Sequence, residues 1–571
     1  MNTSIPLLIR DLGLDEKSSP QDKKKILGLS PWLFEVIISI IAFCFIFFSY
    51  ILIKPLNYEN WTQDGTYAKL YGFVMLAILA IVFVVMFVKG QLDFKRLVIF
   101  IFLAGFIMRL TYMLYTHADQ RQYDTWTDVR DGHYDYALSF YLTGRLPTHA
   151  ITPNTVYQFY HPPLNAFLQG IFMHIFEAIN WVPKLKYSPE ALFGATQILT
   201  CFYMYITALF FGKTILLTKF SNGSKLLALS VVVLFPRLVQ LSGQLNNDAI
   251  SVMFSAIALY YFFRWYIEEK KWIYNILVAL FVGLALLSKL SAITICLGMA
   301  IGYLIQLIRS IRRQENSLPL KQLLLQYTVF ILIAAPIGLW WQVFTHYVYG
   351  LPYNFVFHNL NSALFTGPRS YVIKQKPDIL DYYDEQNHGL IYTSDFYNIF
   401  ARFILPLWPA DLATKAFCSS FDDYNLLSYA LRSAVFGEFS YWFSDAQALS
   451  YLCVIGVYVA YFSVVISVIY FALKPKNLGS DGWIALAILL GMATTFFYLQ
   501  TKMPYGCSMD FRYIVPSVLP VAYLVAKTND LYKEKIATGN KSRFVKTMKF
   551  VQVLALVFFI GTSFVFYGIA I

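Results

Sequence analysis

Of the 571 residues, 58% are hydrophobic, 18% aromatic and 14% charged, whereas a soluble domain carries about 25% charged residues. That balance excludes an ordinary soluble enzyme and describes a polytopic membrane chain. The formal net charge of +12 then reads as a topology signal and not as affinity for nucleic acid.

The first 32 residues are polar and carry Lys23-Lys24-Lys25. They are expected to form a cytoplasmic tail without a cleavable signal peptide. Apolar runs near the ~20 residues that span a bilayer follow at 33–54, 71–88, 97–115, 191–212, 226–242, 249–266, 273–288, 290–308, 323–346, 449–473, 482–499, 512–526 and 550–570. About thirteen transmembrane helices are expected, with a proline inside both 226–242 and 512–526. Residues 33–96 read as two extra N-terminal spans and 97–346 as a core that contains an acidic outer loop, 116–190. A large outer region, 347–448, and C-terminal helices, 449–571, complete the chain. Within the acidic loop, 162–179 opens on Pro162-Pro163 and is expected to be an interfacial helix on the outer face.

Orientation follows from the basic residues. With the N-terminus inside, the inner segments hold 27 of the 45 Lys and Arg but 11 of the 33 Asp and Glu, which matches the positive-inside rule. The same basic face would attract anionic membrane lipid. Six cysteines show no metal-ligand spacing; Cys418 and Cys507, both in outer segments, are the pair an oxidising exterior would allow to bridge. Asn60-Trp61-Thr62 is a formal glycosylation sequon.

Three constellations carry chemistry. Asp124, Asp128, Asp131 and Asp135 are spaced 4, 3 and 4 apart, and on a helix they would share one face. A carboxylate at a membrane edge can act as general base, its pKa set by low dielectric and neighbouring charge. His133 could join that cluster or serve as a structural hydrogen bonder. Gln244-Leu245-Asn246-Asn247-Asp248 reads first as the N-cap of the next span, which leaves contact with a polar substrate open. Arg237, Lys289 and Arg512 lie in or at the outer ends of apolar segments, where a cation needs a partner or a bound anion, and Arg grips phosphate with a planar fork. Carboxylates beside such cations suit displacement of a lipid phosphate by an activated nucleophile.

The segments Gly132-His133-Tyr134-Asp135-Tyr136, Gly144-Arg145-Leu146-Pro147 and Phe159-Tyr160-His161-Pro162-Pro163-Leu164 resemble the GT-C integral-membrane glycosyltransferases. Asn246-Asn247-Asp248-Ala249, Gly283 to Leu290 and Phe511-Arg512-Tyr513 follow in the order that superfamily uses. The likeness is to the protein O-mannosyltransferase and aminoarabinose-transferase group, over 97–310 and more thinly 430–520. It implies an all-α GT-C fold and a polyprenyl-phosphate sugar as donor. It further implies an Asp base, carried over to Asp124 with Asp128 as neighbouring candidate. Arg512 and Lys289 would be lipid-phosphate contacts, and Asp248 a second acidic position near the sugar. The mannosyltransferases place Glu directly after the loop Asp, whereas Thr125 follows here.

The reading is therefore a glycosyltransferase moving a sugar from a polyprenyl-phosphate donor to an acceptor hydroxyl, with inversion, at the outer face of a plasma membrane. The acceptor is a glycan, lipid or protein. Arg237 is a third candidate phosphate contact; Asn247, His133, His161 and Glu438 complete the candidate sugar and acceptor contacts. A divalent metal is compatible with the acidic stripe, although no firm ligand set is visible, and no other cofactor is implied. A transporter or lipid-linked sugar flippase is the alternative, and a non-catalytic scaffold for envelope assembly is a third.

Overall fold

Main-chain groups in a bilayer have no water to satisfy them and must bond within the segment or within a closed barrel. This chain takes the helical solution. The computed structural model describes residues 31–57, 65–118, 122, 125, 132–146, 161–179, 188–268, 270–314, 317–350, 353, 426–437, 447–473, 475–502, 509–539 and 542–570, and its regular elements among these are all helices.

The N-terminal pair is α1 (Pro31–Ile53) and α2 (Thr66–Val88). The core begins with α3 (Phe94–Tyr115), started by the Asp93 side chain accepting from Arg96 N at 2.8 Å. Lys54, 3% exposed, ties the pair to the core: its ammonium donates to Met113 O at 2.7 Å and to Thr116 O, at the carbonyl end of α3. A cation is favoured there by the helix dipole.

The acidic loop contributes α4 (His133–Thr143), α5 (Leu164–Ile179) and α6 (Pro189–Ala195), and α7 (Gln197–Leu216) returns across the bundle. Helix α5 packs on α4, α6 and α11 (see below) through Asn165, Ala166, Gln169, Phe172 and Met173, and turns Phe167, Ile171, Ile175 and Ile179 outward. That outward stripe is apolar, as an interfacial seat requires.

Next, α8 (Asn222–Leu234) and α9 (Pro236–Gln240) form a bent pair at 41°. Pro236 causes the bend, because it cannot donate to the preceding turn. The break also leaves Val233 O, in the last turn of α8, without a helical donor, and Arg109 takes it: its Nη1 donates to Val233 O at 2.7 Å and to Gly105 O at 2.8 Å.

Then come α10 (Asp248–Ile267), α11 (Trp272–Ser288), α12 (Ile293–Ile311) and α13 (Leu320–Tyr349). Beyond the outer region are α14 (Leu426–Phe436), α15 (Gln447–Ala472), α16 (Pro475–Lys502), α17 (Val518–Ala537) and α18 (Arg543–Val565). Helices in lipid gain nothing from hydrophobic contrast, so small residues that admit close backbones set the crossings. A Cβ at Gly283 in α11 would lie 2.9 Å from Ile337 Cβ and 3.2 Å from Ala334 O of α13; Gly298 of α12 sits against Ile488 and Gly491 of α16.

Among the described residues ten helices are long and apolar enough to cross a membrane, or eleven if α8 and α9 make one bent span. By that measure two of the thirteen expected runs, 273–288 and 512–526, fall short of a span. The 273–288 run forms α11, only 17 residues long. The 512–526 run is not one span: Pro516 falls in a 3-10 turn, Phe511–Ser517, and α17 starts after it. Cys44, Cys201, Cys296 and Cys453 are unbridged. Cys418, Cys507 and the Asn60 sequon lie outside the described residues.

Gly298→Val should overpack the α12–α16 crossing, at about 1–3 kcal/mol, and lower the melting temperature of the detergent-solubilised protein. Gly561→Val, where nothing lies within 4 Å of the added Cβ, should leave it in place.

Candidate active site

Helix ends, not helix middles, build the site. At the start of α10, Asn246 Oδ1 accepts from Asp248 N at 3.2 Å, a local turn that presents the Asp248 carboxylate. At the end of α11 the backbone leaves the helix at Lys289 (φ −158°, ψ 131°), while Lys289 N still donates to Ala285 O at 2.9 Å. That break swings the ammonium onto Asp248, at 2.7 Å from Oδ1 and 2.8 Å from Oδ2. Arg512, from the 3-10 turn before α17, brings Nε to 4.0 Å from Asp248 Oδ2. The Tyr513 ring underlies both cations, 5.0 Å from Lys289 Nζ and 5.2 Å from Arg512 Cζ. Asp248 is 2% and Lys289 7% exposed, so their charges interact in low dielectric and removal of one would strand the other.

The Arg512 turn is itself anchored. Asp510, fully buried, accepts from Arg512 N at 2.6 Å and from Arg237 Nη2 at 2.8 Å through the same Oδ1. Arg237 Nη1 donates to Gln240 Oε1 at 2.8 Å, and Gln240 Nε2 to Tyr567 Oη at 2.7 Å. Phe511 N donates to Ser433 Oγ of α14 at 2.9 Å. Gly437, which closes α14 at φ +67°, lies directly on Arg237; a Cβ there would meet the guanidinium. Arg237 is therefore engaged by protein partners and holds the turn that carries Arg512.

Two histidines stand beside the cations. His133 opens α4 and His161 precedes Pro162-Pro163; their rings stack with centroids 5.9 Å apart and planes 8° apart. Tyr136 Oη donates to His161 O at 3.1 Å, which joins the two ends of the acidic loop. Burial, then the Lys289 ammonium, pulls the His133 pKa down to about 3. Burial and Lys289 likewise hold His161 well below the ordinary imidazole value. Both rings are neutral near pH 7 and can donate through one nitrogen and accept through the other.

The acidic loop is tied down on both sides of Asp124. Gln122 Oε1 accepts from Leu245 N at 2.6 Å, three residues before Asp248. Thr125 O accepts from Tyr134 N at 2.8 Å. Asp124, Asp128 and Glu438 lie outside the described residues. A helical run into Asp135 is interrupted at Gly132, and Asp131 too lies outside the described residues. Gly132 is extended (φ −93°, ψ 175°), α4 begins after it, and Asp135 turns back to accept from Gly132 N at 3.4 Å as a cap. Among the described residues no three His, Cys, Asp or Glu side chains are grouped to hold a metal ion. Asn247 Nδ2 donates to Ser288 O at 3.3 Å, at the α11 end. Asp510, Tyr513 and Gln122 were missed as site residues: each was a lone polar residue without a spacing pattern.

Residues 160–340 match the family described as dolichyl-phosphate-mannose-protein mannosyltransferase, a stretch that opens at the His161-Pro162-Pro163 motif and includes Asp248 and Lys289. Two solved structures are similar to this chain. One is the archaeal oligosaccharyltransferase AglB from Archaeoglobus fulgidus in complex with an inhibitory peptide and a dolichol-phosphate. It shows 15% identity and a TM-score of 0.43, covering 83% of this chain and 55% of that one. The other is the Archaeoglobus fulgidus oligosaccharyltransferase in the apo form, at 14% identity and a TM-score of 0.44, covering 83% and 56%. This chain thus spans little more than half the length of either. No curated protein matches it.

Replacing Arg237 by Met should cost about 3–5 kcal/mol by stranding buried Asp510, measured by unfolding in a denaturing detergent; adding Asp510→Asn should recover part of that loss. The depressed histidines give a second expectation. They are neutral in the fold and protonate in the unfolded chain below the ordinary value of 6.5, so stability should fall as pH drops from 6.5 toward about 3. His133→Gln with His161→Gln should flatten that slope.

Proposed function

We propose that this chain transfers a sugar from a polyprenyl-phosphate donor to an acceptor hydroxyl, with inversion, at the outer membrane face. The observation that carries this reading is the meeting of Lys289 and Arg512, from distant parts of the chain, on buried Asp248 at one end of the bundle. Two cations held over one aromatic ring form a site for a lipid phosphate. Arg237 is assigned a positioning role, because its guanidinium holds Asp510 and through it the Arg512 turn.

Asp124 takes the acceptor proton in this reading. The acceptor oxygen bonds to the anomeric carbon while the bond from that carbon to the phosphate oxygen breaks. The charge left on the polyprenyl phosphate is stabilised by Arg512 and Lys289. Support for Asp124 is its place in the chain between Gln122, bonded to the Asp248 segment, and Thr125, bonded to α4. Asp128 is the neighbouring candidate, and Glu438 remains a candidate acceptor contact. His133, His161, Asn247 and Asp248 would orient hydroxyls.

Orientation rests on charge. Lys213, Lys225, Arg264, Arg309, Lys321 and Lys546 all lie at the helix ends opposite Asp248, so the positive-inside rule puts the site outside. The outward stripe of α5 then seats that helix in the outer interface.

Purified protein given a labelled polyprenyl-phosphate sugar and an acceptor should release lipid phosphate and transfer label. Asp124→Asn should lower kcat by about 10²–10⁴-fold with the donor Kd little changed, while Lys289→Ala should weaken donor binding. Wild-type turnover in the Asp124→Asn enzyme would remove Asp124 as base; undiminished donor binding in the Lys289→Ala protein would remove the phosphate site.

A further inference from the structure

Three buried carboxamides near the end of α11 carry hydrogen-bonding capacity that the described residues do not use. Asn165 Oδ1, Asn247 Oδ1 and both amide atoms of Gln342 have no hydrogen-bond partner among the described residues. The three side chains are 3%, 2% and 9% exposed. Gln342 is the buried carboxamide, among the described residues, that leaves its nitrogen and its oxygen both unengaged. An amide so placed lowers stability unless something supplies partners.

Their positions converge. Contacts climb α11 and α13 together: Asn275 Nδ2 donates to Gln326 O, Gly283 abuts Gly338, and Leu287 shares an apolar cluster with Trp341. Gln342 lies one turn beyond Gly338 on the same helix face, which brings it level with Ser288 and Lys289. Ala166 of α5 belongs to that same cluster, so the start of α5 covers this level. Asn165, its neighbour, donates to Gln169 Oε1 at 3.2 Å, and Gln169 donates to Leu245 O at 3.0 Å, beside the Asn247 segment. Asn247 reaches the same α11 end through Ser288 O. The carboxamides thus come from α5, α10 and α13 onto the level that holds Lys289.

We propose that Gln342, with Asn165 and Asn247, binds the hydroxyls of the donor sugar. The proposal rests on the reading of Lys289 and Arg512 as the lipid-phosphate site. A carboxamide both donates and accepts, as a hydroxyl does. A site built on buried amides discriminates against a ligand that leaves them unpaired.

The test titrates full-length protein in nanodiscs, without acceptor, with two probes: a short-chain polyprenyl phosphate and the same lipid phosphate bearing a neutral hexose. Wild-type protein should bind the hexosyl probe about tenfold more tightly than the bare lipid phosphate, the scale of one or two hydrogen bonds. Gln342→Met, of similar shape, should abolish the hexose advantage, leave the bare-phosphate Kd unchanged, and hold or raise the melting temperature of the unliganded protein. A lowered melting temperature with the hexose advantage intact would make Gln342 structural and overturn the proposal. Failure of bare lipid phosphate to bind would instead remove the underlying phosphate site.

Discussion

A charge carried into a lipid-embedded bundle is tolerated when a counter-charge meets it in good geometry, and two such meetings organise this protein. Asp248 receives Lys289 and Arg512; Asp510 receives Arg237 and the backbone of Arg512. The pairs are linked through one residue, since Arg512 gives its side chain to the first and its N–H to the second. Helix endings serve these pairs. The α11 helix stops so that Lys289 can turn, α9 follows the Pro236 bend so that Arg237 faces Asp510, and the turn before α17 places Arg512 between them.

Around that network the loops obey the same demand for partners. Gln197 Nε2 donates to Thr116 O at 3.1 Å and Gly243 O at 2.8 Å, and Ser242 Oγ donates to Arg109 O at 3.0 Å. These bonds fasten the end of α3 to the segment leading into Asp248. Gln122 continues the line into the acidic loop. A carboxyl group in that loop is thereby tied by chain connectivity to the segment presenting the cation cluster, while neutral His133 and His161 add hydrogen-bonding groups without adding positive charge.

Hydropathy made the spans legible because lipid selects for long apolar runs whatever the tertiary contacts. It failed where polarity and length part company. The 512–526 run is apolar enough on average, yet Pro516 and the capping Asp510 make it a turn, and the helix after it carries Lys527, Asp530 and Lys533 on its lower half. Lys289 and Arg512 were visible as cations misplaced among apolar residues. Their common partner was not, because no local pattern records a contact across such sequence separations. Arg237 looked identical to them in sequence and differs only by having Asp510 and Gln240 within reach. Gln122 and Gln342 left no trace, since a single amide in an apolar segment looks the same whether it is engaged or orphaned.

Lys54 bears on how modular this architecture is. The first two helices stand ahead of the core in sequence and read as an appendage, yet the ammonium at their junction satisfies carbonyls at the very end of α3, where the acidic loop departs. A version trimmed to the core would expose those carbonyls and loosen the root of the loop. The leading hairpin is a keystone of the architecture, and a minimal unit of this protein has to include it.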